Sequence, residues 1–148
     1  MGTRKIELTS EQFRNLMKLV YLGHWMANSH RDEPVSEIDE VENIIYSYAE
    51  QFGCADWVDG DQKTNHYYPS SELEEEMDPY LEEYDDYTFW DELAWRLADR
   101  DFETKFDPGK VIVMTTEEIL REKDIIVQKY VNEFNKQGLE NVNVKGIK

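Results

Sequence analysis

Three times in this chain a hydroxyl residue stands three positions before a glutamate or glutamine, and apolar residues at helical spacing follow. The pairs are Thr9 with Gln12, Ser71 with Glu74, and Thr115 with Glu118. In such a capping box the hydroxyl accepts one free backbone N–H of the first helical turn, and the longer side chain accepts another. A chain that repeatedly marks helix starts in this way is constrained toward helices packed on helices.

The segments between these marks agree. After Thr9, Phe13, Leu16, Met17, Val20 and Ala27 recur at helical spacing, and Leu19, Leu22, Trp25 and Met26 cover the neighbouring face. A helix apolar on most of its circumference is expected at the centre of a fold. Gly23 within it predicts close approach by another helix, and Pro34 marks the break. "PVSEIDEVENIIYSYAEQFG" predicts a second helix with Ile38, Val41, Ile45, Tyr48 and Phe52 inward, stopped by a left-handed Gly53. "CADWVDGDQKTNHYYPS" has no period and reads as a loop with one short turn near Trp57.

From Ser71, Leu73, Met77, Tyr80, Leu81 and Tyr84 supply an apolar side. Pro79 predicts two short helices or one kinked helix there. Thr88 is a cap candidate, with Asp91 and Glu92 in the first turn and Trp90, Leu93, Ala94 and Leu97 as the core stripe. On that basis Trp90→Ala is expected to cost about 3–5 kcal/mol. "FDPGKVIVM" holds a turn and then either a lone strand or more helix over 111–114. Thr115 opens the last helix, with Ile119, Ile126, Tyr130 and Phe134 inward and Val127 and Val131 beside them, and Gly138 ends it.

The expectation is an all-α, single-domain helical bundle of about five helices with short satellite turns over residues 1–148, fraying at 1–8 and 139–148. Single cysteine Cys54 cannot form an internal disulfide. "MGTRKIELTS" leads into no apolar run, and no stretch approaches the roughly 20 apolar residues of a membrane span. A cytoplasmic protein is expected, with no membrane contact.

The net charge of −17 is unevenly placed: residues 71–103 carry 14 acidic and 2 basic side chains. A field of that sign repels phosphate, so direct nucleic-acid binding is not expected. It attracts a basic partner. Residues 70–86, "SSELEEEMDPYLEEYDD", hold nine acids and no base. Glu74, Glu75, Glu82, Glu83, Asp85 and Asp86, interleaved with Tyr80, Tyr84 and Tyr87, are the candidate partner-binding residues, since tyrosine is enriched at interfaces. The bland reading of this segment is a solvated helix face.

Chemistry finds less support. No His-Glu-x-x-His or Glu-x-x-His pair is present, and the Asp59-Gly60-Asp61 start of a calcium loop fails at Lys63, Thr64 and Ser70. No nucleophile elbow or phosphate-cradling glycine loop occurs. No catalytic residue, metal ligand or cofactor is assigned, and His24 reads as a packing histidine inside an apolar run. The expected function is therefore a small acidic protein-interaction module that takes a basic protein through residues 71–92; self-association is left open. The alternative is a metal-dependent hydrolase that uses His24, His30 and the Asp85–Glu92 carboxylates.

Overall fold

Both halves of the Thr9 capping box form in the computed structural model: Gln12 N donates to Thr9 Oγ1 at 3.2 Å, and Thr9 N donates to Gln12 Oε1 at 2.9 Å. The structure describes residues 2, 4–61, 63–143 and 146, and of Asp61 the backbone alone. The fraying expected at 1–8 and 139–148 falls in part outside the described residues. The fold is predominantly α-helical, as the spacing predicts, with one small hairpin. Its contacts divide it into two compact units, Met1–Glu82 and Glu83–Lys148.

In the first unit, α1 (Ser10–Asn28) and α2 (Ser36–Tyr46) are followed by 3-10 turns at Ala49–Phe52 and Ala55–Trp57. Gly53 has φ 73°, the left-handed stop expected of it. The segment read as loop instead forms an antiparallel hairpin of β1 (Val58–Asp61) and β2 (His66–Pro69), in register from Val58 opposite Pro69 to Asp61 opposite His66. Two devices hold it. Asn43 of α2 accepts from Tyr67 N at 2.7 Å and donates to the Asn65 carbonyl at 3.3 Å. Gly60 leaves room for Tyr67, whose ring would lie 2.7 Å from a Cβ at that position.

The core of this unit is Phe13, Met17, Tyr46, Ala49, Cys54 and Trp57, closed by Leu73 and Met77. Phe13 stacks on Phe52 at 4.1 Å, and the Arg14 guanidinium covers the outer face of Trp57 at 4.2 Å. Two expectations fail here. Leu19 is 66% exposed and Met26 is also exposed, so α1 is buried on one side only. A Cβ at Gly23 would meet nothing within 4 Å, so no helix approaches there.

The helix α2 is turned relative to its expected face. Val41, Ile44 and Tyr48 are exposed, while Glu42 and Tyr46 are buried. The cause is polar. Asp39, Glu42 and Tyr46 lie at i, i+3 and i+7 on one face, and that face meets His24 of α1.

The helix α3 spans Ser71–Lys105 without a break, so neither the Pro79 interruption nor the Thr88 start occurs. Pro79 removes one donor from the ladder, but Glu75 and Pro79 are both exposed, so the carbonyl left without it lies on the solvent side. Ser71 is not the cap either. The Ser70 carbonyl accepts from Leu73 N and Glu74 N, and the Ser70 hydroxyl is turned away to donate to the Asp56 carbonyl at 2.7 Å.

In the second unit the remainder of α3 packs on α5 (Thr116–Gln137), joined by the single turn α4 (Pro108–Val111). Asp107 caps α4 by accepting from Gly109 N at 2.8 Å. Neither a strand nor a continued helix forms over 111–114: α4 ends at Val111, and Ile112 and Val113 are exposed. The core is Ala94, Ala98, Phe102, Ile126, Val127 and Phe134, with Ile119, Tyr130 and Val131 partly buried against it as expected. The two alanines, one turn apart, form the inward line of α3. Of the expected stripe, Ala94 is buried, while Trp90, Leu93 and Leu97 are each only half-buried. Ion pairs Lys105–Glu122 and Lys123–Asp99, both 2.8 Å, join α3 to α5. The Thr115–Glu118 box forms completely, and Gly138 ends α5 with φ 54°.

Candidate functional site

Like charges along one helix cannot all be buried, so the acids of α3 are expected outside. All nine candidate residues are exposed: Glu74, Glu75, Tyr80 and Glu82 in the first unit, and Glu83, Tyr84, Asp85, Asp86 and Tyr87 in the second. The expected inward placement of Tyr80 and Tyr84 is therefore corrected; Leu73 and Met77 alone of that set are fully buried.

Cation pairing separates the acids into two classes. Glu76 meets Lys18 at 2.6 Å, Glu92 meets Arg96 at 3.1 Å, Asp99 meets Lys123, and Asp101 meets Arg100 at 2.8 Å. The Lys18 ammonium holds the Glu76 carboxyl below its ordinary range, and hydrogen bonds from Tyr130 and Arg100 do the same for Asp101. Among the described residues, Glu74, Glu75, Asp78, Glu82, Glu83, Asp85, Asp86 and Asp91 have no Lys, Arg or His partner within ion-pair distance. Acids without such a partner occur along the whole chain, and over 74–91 they are densest in sequence.

In the second unit these acids border a groove of about 620 Å³ between α3 and α5. Glu83, Asp86 and Asp91 come from α3, and Val131 and Phe134 from α5, with Trp90 between them. Residues 83, 87, 90 and 91 share one helix face by their i, i+4, i+7, i+8 spacing. Trp90 stands 5.4 Å from Phe134, ring to ring, and its indole N–H donates to Asp86 Oδ1 at 3.0 Å. That bond gives Asp86 the structural role its sequence context did not show. The α5 wall was not legible in the acidic segment, because Val131 and Phe134 lie in a separate helix far along the chain.

The histidines tell a different story. His24 Nε2 lies 2.8 Å from Asp39 Oδ1 and 3.5 Å from Glu42 Oε2. Asn28 Nδ2 donates to the same Asp39 oxygen at 3.0 Å, and Asn28 Oδ1 accepts from Val35 N at 2.9 Å. The cluster ties the end of α1 to the start of α2. Burial pushes the Glu42 carboxyl up, opposed by the positive influence of His24. Burial also pushes the Tyr46 phenol up, reinforced by the negative charge of Glu42. The Tyr46 hydroxyl is close enough to Glu42 to act on its carboxylate as a weak donor, but the contact falls short of a well-formed hydrogen bond for either Tyr46 Oη or Glu42 Oε1. The spacing Asp39, Glu42, Tyr46 could have revealed this cluster, but an inward Val41 hid it.

His30 is exposed and does not bond to His24, and the Asp85–Glu92 acids belong to the second unit. No hydroxyl or thiol bonds to His24 among the described residues. No group of three or more His, Cys, Asp or Glu side chains there is arranged to hold a metal ion. No helix among them is long and apolar enough to cross a membrane. Comparisons with family models, with curated proteins and with solved structures find no match.

Proposed function

We propose that this protein is a cytoplasmic binding module that captures a basic protein through residues 71–92 of α3. The observation that supports it is the dense run of exposed acids over 74–91, all but Glu76 without cationic partners, interleaved with exposed tyrosines. Surface acids that serve only for solubility are commonly offset by neighbouring lysines and arginines, as at Glu76 and Glu92. Here self-repulsion is left in place, and a basic partner relieves it. The tyrosines add contact area at low conformational cost. The same field keeps nucleic acid and anionic membrane away. A buried Cys54 without a second cysteine fits a reducing compartment.

The test replaces Glu74, Glu75, Glu82 and Glu83 with Gln, which keeps shape and helix propensity. Basic proteins captured from the source cells at low salt should be lost from this variant. They should also be lost at about 1 M salt, where the Debye length is about 3 Å. Capture that persists in the variant, or ignores salt, refutes the proposal.

A further inference from the structure

The second unit carries a feature more specific than charge. The groove between α3 and α5 is lined on its apolar side by Phe134, Trp90 and Val131, with the exposed Tyr87 beside them. Phe134 is a buried member of the core, 8% exposed, so the groove borders the core directly. The α3 border supplies Glu83, Asp86 and Asp91, all without cationic partners. The α5 border supplies Asn135, so no positive charge offsets them. The groove is therefore apolar below and of a single charge sign along one edge. At about 620 Å³ it falls in the range of ligand-sized clefts, about 300–1000 Å³. Asp86 is fixed by the Trp90 indole, so one acid of the border is already ordered before any ligand arrives.

We infer that this groove seats one large apolar side chain of a basic amphipathic helix from the partner protein, with lysines or arginines of that helix meeting Glu83, Asp86 and Asp91. The inference rests on the reading of α3 as a docking surface and deepens it. A helix laid into a groove presents its apolar side chains at i, i+3 or i+4 and leaves its flanks for charge, which matches an apolar base with an acidic edge. Charge complementarity selects a basic helix. The apolar base selects one with an anchor, because a peptide of charge alone leaves Trp90 and Val131 wet. A phosphate-bearing ligand is repelled, and a small polycation does not fill the base.

The experiment uses the full chain and two labelled helical peptides of about 16 residues, long enough for helix to form on contact. Both are built of Ala and Lys with equal charge; one carries a single Leu near its centre and the other has Ala there. Binding is read by fluorescence anisotropy at about 0.1 M salt, where the Debye length is about 10 Å. The Leu peptide should bind about tenfold or more tighter, as expected for burying apolar side chains. Asn135→Lys, an exposed change whose melting curve should match the parent's, should weaken the Leu peptide several-fold. It should scarcely alter the Ala peptide. Equal binding of the two peptides, or no effect of Asn135→Lys, overturns the anchor. Displacement of the Leu peptide by spermidine as readily as by unlabelled peptide overturns it too, since the groove then takes a small polycation. In those cases the acidic-surface reading still stands if the fourfold Glu→Gln variant loses both peptides. Failure of both peptides to bind overturns both readings.

Discussion

Tyr46→Phe should stabilise the first unit. Tyr46 is 1% exposed, and its hydroxyl makes no well-formed hydrogen bond. The phenylalanine ring keeps the apolar contacts with the Phe13, Met17 and Leu73 core. What is removed is a buried hydroxyl whose desolvation costs about 1–3 kcal/mol when no partner offsets it. Glu42 sits close enough to recover part of that cost through charge–dipole attraction, so a net gain of about 1 kcal/mol is expected. Native-state hydrogen exchange resolves it, because protection of the α1 and α2 amides reports on this unit alone. A gain of that size slows exchange about fivefold. A urea series should show a higher midpoint at unchanged slope. The reasoning is refuted if the variant loses about 1 kcal/mol or more, since the hydroxyl would then donate fully to Glu42 and its removal would strand the carboxylate.

Glu42→Gln should add stability that grows with pH. Burial raises the carboxyl above its ordinary 4.5, so the unfolded chain gives up its proton first as pH rises and is stabilised relative to the fold. The variant's advantage should be small near pH 4 and larger at neutral pH in paired denaturation curves. Trp90→Ala should cost about 2–3 kcal/mol rather than the about 3–5 typical of a fully buried ring, because Trp90 is half-buried; chemical denaturation checks it. Ala98→Leu should cost about 1–3 kcal/mol by overpacking the α3–α5 contact, read by the loss in melting temperature. Plain duplex DNA should show no gel shift at physiological salt, because the net charge is −17; sub-micromolar binding refutes it.

What was legible in the sequence was local. The starts of α1 and α5 follow from Thr9–Gln12 and Thr115–Glu118, because a capping box needs only neighbouring residues. The signals at Ser71, Pro79 and Thr88 are equally local but were overridden. Ser70 is drawn to the Asp56 carbonyl, and α3 is held on either side of Pro79 and Thr88 by buried residues, Leu73 and Met77 before, Ala94 and Ala98 after. The orientation of α2 was hidden because a histidine–carboxylate contact between α1 and α2 outweighs the exposure of Val41 and Ile44. The hairpin was hidden because "VDGD" lacks alternation, and Asn43, which holds it, lies outside the segment. The exposure of the acids was legible from charge alone. The groove beside them was not, because half of it comes from α5.

The two clusters of buried side chains are also separated along the chain. Every fully buried member of the first lies between Phe13 and Met77, and every one of the second between Ala94 and Phe134. On the ribosome, chain growth proceeds at about 5–20 residues per second, so the interval from Met77 to Ala94 occupies about 1–3 s. Helical segments with mostly local contacts fold in microseconds to milliseconds. The stretch of chain that carries the first cluster is therefore complete before the buried residues of the second are added, and each set closes within its own stretch of sequence.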